Sequence, residues 1–280
     1  MGNTILTSDI IAKEALMQLR NNCVMAGLVH RDYSNEFVAG VGDTITIRKP
    51  ASFEAKEFSS AIQVQDATET GVTVSMNKLL DVSFAVTAKQ MTLDIKDFSE
   101  QLLIPAMNAF AEKIDGYLLG LASGVTNSVS PTAIKADIIA ARKYLVDGKA
   151  PLTNRNLVVG SAEEAAILGA SEFSAYDKTG STDALRQASL GKIFGMDTFC
   201  DQNCTDIAGL AFHKNAFALV TRPLAKAQGA NSSIVNYDGF GLRVTYGYDI
   251  NAKQDIVSID MLCGVAVLDK NLAAKIANPS

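Results

Sequence analysis

The side chains here that could do chemistry are four cysteines, two histidines and a few acidic pairs. Cys200 and Cys204 stand close together, while Cys23 and Cys263 are far from them in the sequence. A zinc site needs tetrahedral nitrogen and sulfur ligands, so two neighbouring thiols must be completed by further Cys or His at ligand spacing. Neither Cys200 nor Cys204 has such a histidine, and all four thiols read as reduced and partly buried. His30 lies beside Arg31 and Asp32 and reads as solvated or ion-paired. His213 falls between an apolar strand and an expected helix, where a hydrogen-bonded structural imidazole fits. Glu163-Glu164 falls in the first turn of another expected helix, where the macrodipole favours negative charge. There is no Gly-x-Ser-x-Gly elbow and no His-Glu-x-x-His pair. Gly40-Val41-Gly42 lacks both the Lys-Ser/Thr ending of a phosphate loop and the third glycine of a dinucleotide fingerprint. No catalytic residue, cofactor-binding residue or metal ligand is assigned, and no cofactor is expected.

Composition narrows the classes further. The 280 residues are 48% hydrophobic with a net charge of -5, enough for one sizeable core or two smaller ones. No apolar run approaches the roughly 20 residues that span a bilayer. Met1 to Arg20 lacks a basic region followed by an apolar block, so no secretory signal is expected. The expectation is a soluble chain that stays in the compartment where it is made. Basic residues come singly or in pairs, such as Arg48-Lys49 and Arg142-Lys143, without a basic stripe interleaved with aromatics. That pattern argues against specific nucleic-acid recognition. The absence of Trp argues against a carbohydrate platform.

The elements follow from periodicity and punctuation. Ile11, Ala15 and Leu19 predict an amphipathic helix over about Asp9 to Asn22, with Thr7 or Ser8 as N-cap. Its apolar face must rest on its own domain or on a neighbouring subunit. Thr44 to Arg48 alternates and stops at Pro50, which predicts a strand. Ser52 to Gly71 is a long polar stretch. Its flanks, with alternating Val72 to Met76 and Val82 to Val86, predict a protruding hairpin. Phe98, Leu102, Ala106, Phe110, Ile114, Tyr117 and Leu121 predict a helix over Asp97 to Leu121, kinked or restarted at Pro105. At about 25 residues it would be roughly 37 Å long.

Ser123 to Ser130 is rich in small polar residues and marks a subdomain boundary. Ser130 as N-cap, Pro131 at the first helical position and Gly148 at the end punctuate a helix with Ile134, Ile138, Ala141 and Leu145 inward. Leu157-Val158-Val159 predicts a buried strand. Ser161 with Glu164 predicts a capping box that opens a helix ending at Gly169. After a polar connection, Ser171 to Ser189, come the segments Leu190 to Phe199 and Ala211 to Leu219, and after Pro223 the chain is mostly strand. Leu242 to Tyr246 should pair with Asp255 to Leu262, and Gly264 to Leu268 should be the last strand before a polar tail.

The order of these blocks resembles the major capsid proteins of tailed bacteriophages, which share the Hong Kong 97-like fold, and in particular the podophage-type coat proteins. The blocks are Val29-His30-Arg31-Asp32-Tyr33, Gly42-Asp43-Thr44-Ile45-Thr46-Ile47-Arg48-Lys49-Pro50, Ile104-Pro105-Ala106 through Ile114-Asp115, Gly191-Lys192-Ile193-Phe194-Gly195-Met196-Asp197 with Ala211 to Leu219 and Arg222-Pro223, and Tyr246-Gly247-Tyr248-Asp249 leading to Asp260 through Leu268. The resemblance implies an α+β fold with an N-arm (1-46), an extended loop (47-76), a peripheral domain with the spine helix (77-124), an axial domain (125-235) and closing strands shared by both domains (236-280).

It also implies a structural protein rather than an enzyme. Such a coat protein self-assembles as pentamers and hexamers into an icosahedral shell that encloses double-stranded DNA without sequence-specific binding. The expected partners are itself, a scaffolding protein, a portal and a decoration protein, with no membrane. The expected location is the virion capsid, assembled in the bacterial host cytoplasm. The chain departs from larger podophage coats in having no room for an inserted surface domain. The amphipathic N-arm starts almost at Met1, so a separate scaffolding protein is expected rather than a leading scaffolding extension. Lys56 or Lys78 with Asn77 supplies the residue types of the intersubunit isopeptide bond that some shells form. The alternatives are an encapsulin-type compartment shell, a small-molecule enzyme with an α/β core, and a phage tail or decoration protein.

Overall fold

The structure, a computed structural model, describes residues 12–15, 17, 19, 23–31, 44–49, 57, 70–87, 102–170, 190–226, 229, 231–237 and 240–278. Its first strands are Thr44–Lys49 (β1), Thr70–Ser75 (β2) and Lys78–Thr87 (β3), followed by the helix Ile104–Gly120 (α1). Ser128–Val129 (β4), helix Ile134–Asp147 (α2), Arg155–Val159 (β5) and helix Ser161–Gly169 (α3) come next. The remaining strands are Lys192–Ile193 (β6), Met196–Cys200 (β7), Gly209–His213 (β8), Phe217–Arg222 (β9), Asn231–Tyr237 (β10), Phe240–Asp249 (β11), Gln254–Val267 (β12) and Ala273–Ile276 (β13).

These strands make three sheets. β1 and β2 form an antiparallel ribbon running from Thr44 opposite Ser75 to Lys49 opposite Thr70. The strand containing Val82 to Val86 is not part of that ribbon. It belongs to β3, which pairs with β12 in a five-stranded sheet ordered β10-β11-β12-β3, with β9 on the far half of β12. The third sheet has six strands in the order β4-β13-β8-β5-β7-β6. Of the expected long loop, Ser52 to Gly71, the described residues are Glu57, Thr70 and Gly71.

The expected pairing of Leu242 to Tyr246 with Asp255 to Leu262 is present, with Arg243 opposite Asp260 and Tyr246 opposite Val257. The expected break before Gly264 is not. β12 continues unbroken to Val267, so two expected strands are one strand of 14 residues. Gly264 serves close approach here rather than termination, since a Cβ on it would overlap the Ser75 backbone of β2. The expected polar tail also carries a strand. β13 lies between β4 and β8, with Ala273, Ala274 and Ile276 buried.

Of the helices, α2 and α3 differ from expectation in where they begin. α1 has 17 residues, about 25 Å at helical rise. Pro105 stands in its first turn, where the missing N–H forfeits no helical bond. The expected lead-in from Asp97 to Gln101 lies outside the described residues. α2 starts at Ile134 rather than beside Ser130, because Asp137 reaches back. Its carboxylate accepts from Thr132 N–H at 3.0 and 3.1 Å and from Thr132 Oγ1 at 2.8 Å, which holds Pro131 and Thr132 in the approach. α3 is capped by the extended Gly160, not by Ser161, and no side-chain capping bond forms. A Cβ at residue 160 would stand 2.9 Å from the Cys204 carbonyl oxygen. Between β6 and β7, Phe194 and Gly195 both take positive φ (46° and 79°), making the two-residue hairpin turn.

Alternation on these strands builds the cores. One face of the five-stranded sheet, with Leu242, Val244, Val257, Ile259 and Met261, packs in the same core as Met107, Phe110, Ile114 and Leu118 of α1. The N-terminal residues Ala12, Ala15, Leu19, Met25, Ala26 and Val29 join this core. A second core lies between α2 and the six-stranded sheet, with Ile138, Ala141 and Leu145 against Leu157, Val159 and Ala211. A third, smaller core seats the ribbon, through Ile47, Val74 and Met76, on Ala218, Val220 and Leu268.

The six- and five-stranded sheets are joined by a two-stranded neck. β8 runs through the turn Lys214–Ala216 into β9, while β12 runs out towards β13 beside it. β9 and β12 pair antiparallel, with Phe217 opposite Val267 and Arg222 opposite Leu262. The two connectors also bond to each other, Leu268 N–H to Ala216 O at 2.8 Å. No helix among the described residues is long and apolar enough to cross a membrane.

Candidate functional site

Of the chemistry-bearing residues singled out in the sequence, Cys200 lies beside Glu164 and Cys204 near Glu163, where the end of β7 meets the first turn of α3. His213 ends β8. Its Nδ1 accepts the Asn215 N–H at 3.2 Å, and burial together with Arg155 lowers its pKa. The hydrogen bond expected of this imidazole is present. His30 is used through its backbone. Its N–H donates to Phe217 O at 3.1 Å and its carbonyl accepts from Leu219 N–H at 2.9 Å, so it bridges onto β9 in parallel.

The four cysteines are free thiols. Burial pushes the Cys23 thiol far up, with Asp115 adding to it. Burial and Glu164 push Cys200 up to about 12, burial and Asp201 push Cys204 up to about 12, and burial pushes Cys263 up to about 11. Thiols held protonated in this way are poor nucleophiles and poor metal ligands. Among the described residues, no group of three or more His, Cys, Asp or Glu could hold a metal ion. Lys78 and Lys113 both make cation–π contacts with the Tyr117 ring, at 5.0 and 5.5 Å from its centroid. Lys56 is outside the described residues. A polar cleft of about 390 Å³ is lined by Asn127, Tyr144, Asp147, Gly148, Lys149 and Asn271, of which the sequence singled out Gly148 alone, as a helix end.

What the structure does bring together are the parts that fasten extended segments to the body. The N-terminal segment is held at several points. Its apolar residues fill the first core, His30 adds to the edge of β9, and Asp115 of α1 caps the turn Met25–Gly27. Asp115 Oδ2 accepts from Val24 N–H at 2.8 Å, and Oδ1 accepts from Met25 and Ala26 N–H at 3.1 and 3.3 Å. Asn156 Nδ2 adds a bond to Leu28 O at 3.3 Å. Of the two expected resting places for the N-terminal helix, the chain's own body is the one seen for Ala12, Ala15 and Leu19. The ribbon is seated at its base on the neck.

Sequence reading missed Asp115 and the Arg243–Asp260 pair. Asp115 had a signal, a carboxylate on the apolar stripe between Ala111 and Leu118. Arg243 and Asp260 had none at short range, since their contact depends on strand register. Arg243 Nε donates to both Asp260 oxygens at 2.9 and 3.0 Å, Nη2 donates to Oδ2 at 2.6 Å, and Nη1 donates to Ala225 O at 2.6 Å. The exposed apolar side chains include Leu152, Tyr248 and Ile250, the last at 76%.

No family model matches the chain, and no curated protein matches it. Solved structures do. A chain from Mycobacterium phage Che8 has a TM-score of 0.71 at 18% identity, covering 91% of this chain and 90% of that one. A chain from the capsid structure of the cyanophage P-SCSP1u has a TM-score of 0.61 at 12% identity, covering 85% and 84%. A chain of the virus-like particle from Pyrococcus furiosus has a TM-score of 0.53 at 9% identity, covering 95% and 97%. A shared path over nine-tenths of both chains, at so low an identity, is a likeness of backbone. The chain has the mixed helix-and-sheet fold of phage capsid structures.

Proposed function

We propose that the chain is the major capsid protein of a tailed bacteriophage, a structural shell subunit rather than an enzyme. The observation that carries this reading is the match along most of both chains to a capsid structure, 85% of this chain and 84% of the cyanophage one. A shell repeats one set of interfaces under symmetry. The chain would associate as pentamers and hexamers into an icosahedral shell around double-stranded DNA. It would be assembled in the host cytoplasm with a separate scaffolding protein and a portal, and could carry a decoration protein.

In this reading residues 1-46 are the N-arm, 47-76 the extended loop, 77-124 the peripheral domain with its spine helix, 125-235 the axial domain and 236-280 the closing strands. The ribbon of β1 and β2 and the fastened N-terminal segment support the first two assignments. The acidic balance of the chain suits a container that encloses DNA without gripping it.

Electron microscopy of the overexpressed protein, alone and with its neighbouring gene products, tests the proposal. Closed shells or rings of five or six subunits are expected. A stable monomer with measurable turnover would sink it. The likeness to the Pyrococcus furiosus virus-like particle supports a second reading, an encapsulin-type compartment shell. Shells that co-purify with an enzyme cargo and need no scaffold or portal would favour that reading.

A further inference from the structure

The charges of the six-stranded sheet are sorted to its two ends. β5 starts at Arg155, and the antiparallel β8 finishes opposite it at His213, with Lys214 next in the chain. Arg155 ties the loop after α2 to this end, donating from Nε to Pro151 O at 2.7 Å and from Nη2 to Ala150 O at 2.6 Å. Lys214 N–H donates to Asn154 O of the same loop at 3.1 Å. Lys149 opens that loop, and Arg142 and Lys143 lie in the last turns of α2. Lys270 stands beside Asn271, whose carbonyl meets Gly148 at the end of α2. The carboxylates at this end are Asp147, Asp269 and Asp197, the last held by Lys192 at 3.2 Å. Cations are in excess here.

The opposite end is acidic. β5 finishes at Val159, level with Cys200 of β7 and with Gly209, the first residue of β8. Glu163 and Glu164 follow in the first turn of α3, and Asp201 and Asp206 lie in the loop between β7 and β8. Backbone bonds hold these parts together, Gly160 N–H to Ala208 O and Asp201 N–H to Val159 O, both at 3.0 Å. The cations at this end are Lys135, in the first turn of α2, and Lys275 of β13, so carboxylates are in excess. Among the described residues, none of Lys143, Lys149, Lys214, Glu163 and Asp206 forms an ion pair, and Lys143, Lys149 and Asp206 are exposed. The two ends are separated by the five residues of β5, about 16 Å of strand. That is twice the screening length of about 8 Å at physiological salt, so the ends do little to neutralise each other within one chain.

We propose that the basic end of the six-stranded sheet docks on the acidic end of the same sheet in a second copy of the chain. The inference rests on the shell reading and names the surfaces that join neighbours in one ring. The two surfaces differ, so the contact is heterologous, and repeating it by rotation closes a ring. A two-fold contact would instead set each end against its own charge. Complementary charge at the two ends speeds the encounter and rejects the reversed orientation, because like charges set face to face repel. The exposed side chains that carry the contact are Lys143 and Lys149 on one copy and Asp206 on the next, with the half-buried Glu163 behind Asp206.

Charge reversal in the full chain, read by sedimentation and electron microscopy, is the test. One variant carries Lys143→Glu with Lys149→Glu, the other Glu163→Lys with Asp206→Lys. Each should keep the wild-type Tm, as surface substitutions do, and lose its rings and shells. Mixed in equal amounts, the two variants should recover rings, because the reversed basic end of one meets the reversed acidic end of the other. The two chains must then alternate, so the recovered rings should hold six subunits and not five. If the Glu163 change lowers the Tm, Asp206→Lys alone takes its place. Wild-type chain that forms neither rings nor shells sinks the shell reading, and this inference with it. Wild-type chain that assembles, beside a reversed variant that assembles equally well, overturns this inference and leaves the shell reading standing. So does a mixture that fails to recover rings.

Discussion

Gly264 of β12 lies directly beneath the Ser75 carbonyl at the end of β2, so close that a methyl group on residue 264 would overlap that oxygen. This crossing is where the ribbon base meets the neck, and it leaves no flexible side chain to yield. Gly264→Ala should therefore lift β2 and cost about 1–3 kcal/mol, the usual range for overpacking. A lower Tm, with faster amide exchange at Val74 and Met76 than at Ile259, is the expected result.

The Arg243–Asp260 pair joins β11 to β12 on the face opposite α1, with the Asp260 side chain 7% exposed. Removing one partner of a buried pair leaves the other charge uncompensated. Asp260→Ala should cost about 3 kcal/mol or more in chemical denaturation. Arg243→Lys keeps the charge but loses the two-pronged contact, so it should still destabilise measurably. A double-mutant cycle with Arg243→Ala should show strong coupling.

Asp137 stands in for the absent N-cap of α2 by holding Thr132 through N–H and hydroxyl. Asp137→Ala should cost about 1–2 kcal/mol, the upper part of the capping range. Ser130→Ala should be nearly silent. The reverse order in thermal unfolding would show that the helix is capped at Ser130 instead.

The thiols should be slow. Burial raises Cys200 and Cys204 from 9.0 to about 12. That leaves the thiolate fraction at pH 8 about a thousandfold below that of an unperturbed cysteine. Alkylation of the native protein should lag the denatured protein by a comparable factor. Labelling of Cys200 at the denatured rate would mean that its surroundings open readily.

Short-range signals in the sequence were enough for much of this architecture. Ile45 and Ile47 alternate, and so do Val72 and Val74, because one side of the ribbon is seated on the neck. Ile138, Ala141 and Leu145 keep helical spacing because one stripe of α2 faces a sheet. What could not be read depended on distant neighbours. Ala273-Ala274-Lys275-Ile276 looks like a tail until β4 and β8 flank it. Gly264 looks like a strand end until Ser75 crosses above it. Ser130 looks like a cap until Asp137 supplies a competing acceptor. The fastening of the N-terminal segment was half legible. The apolar stripe of Ala15 and Leu19 announced a docked helix, but Asp115 meets its partners about 90 residues away.

The neck formed by β9 and β12 has a mechanical consequence. Both strands leave towards the six-stranded sheet at the same end, where Phe217 faces Val267. A pull along the neck is thus shared by two covalent backbones in parallel, beside the third link from β3 through α1 to β4, and the hydrogen bonds between the neck strands are not the weak link. The neck behaves as a tie that is stiff along its length and yields by twisting or by bending across its flat side. A strain reaching one sheet would arrive at the other as rotation, with little change in the distance between them.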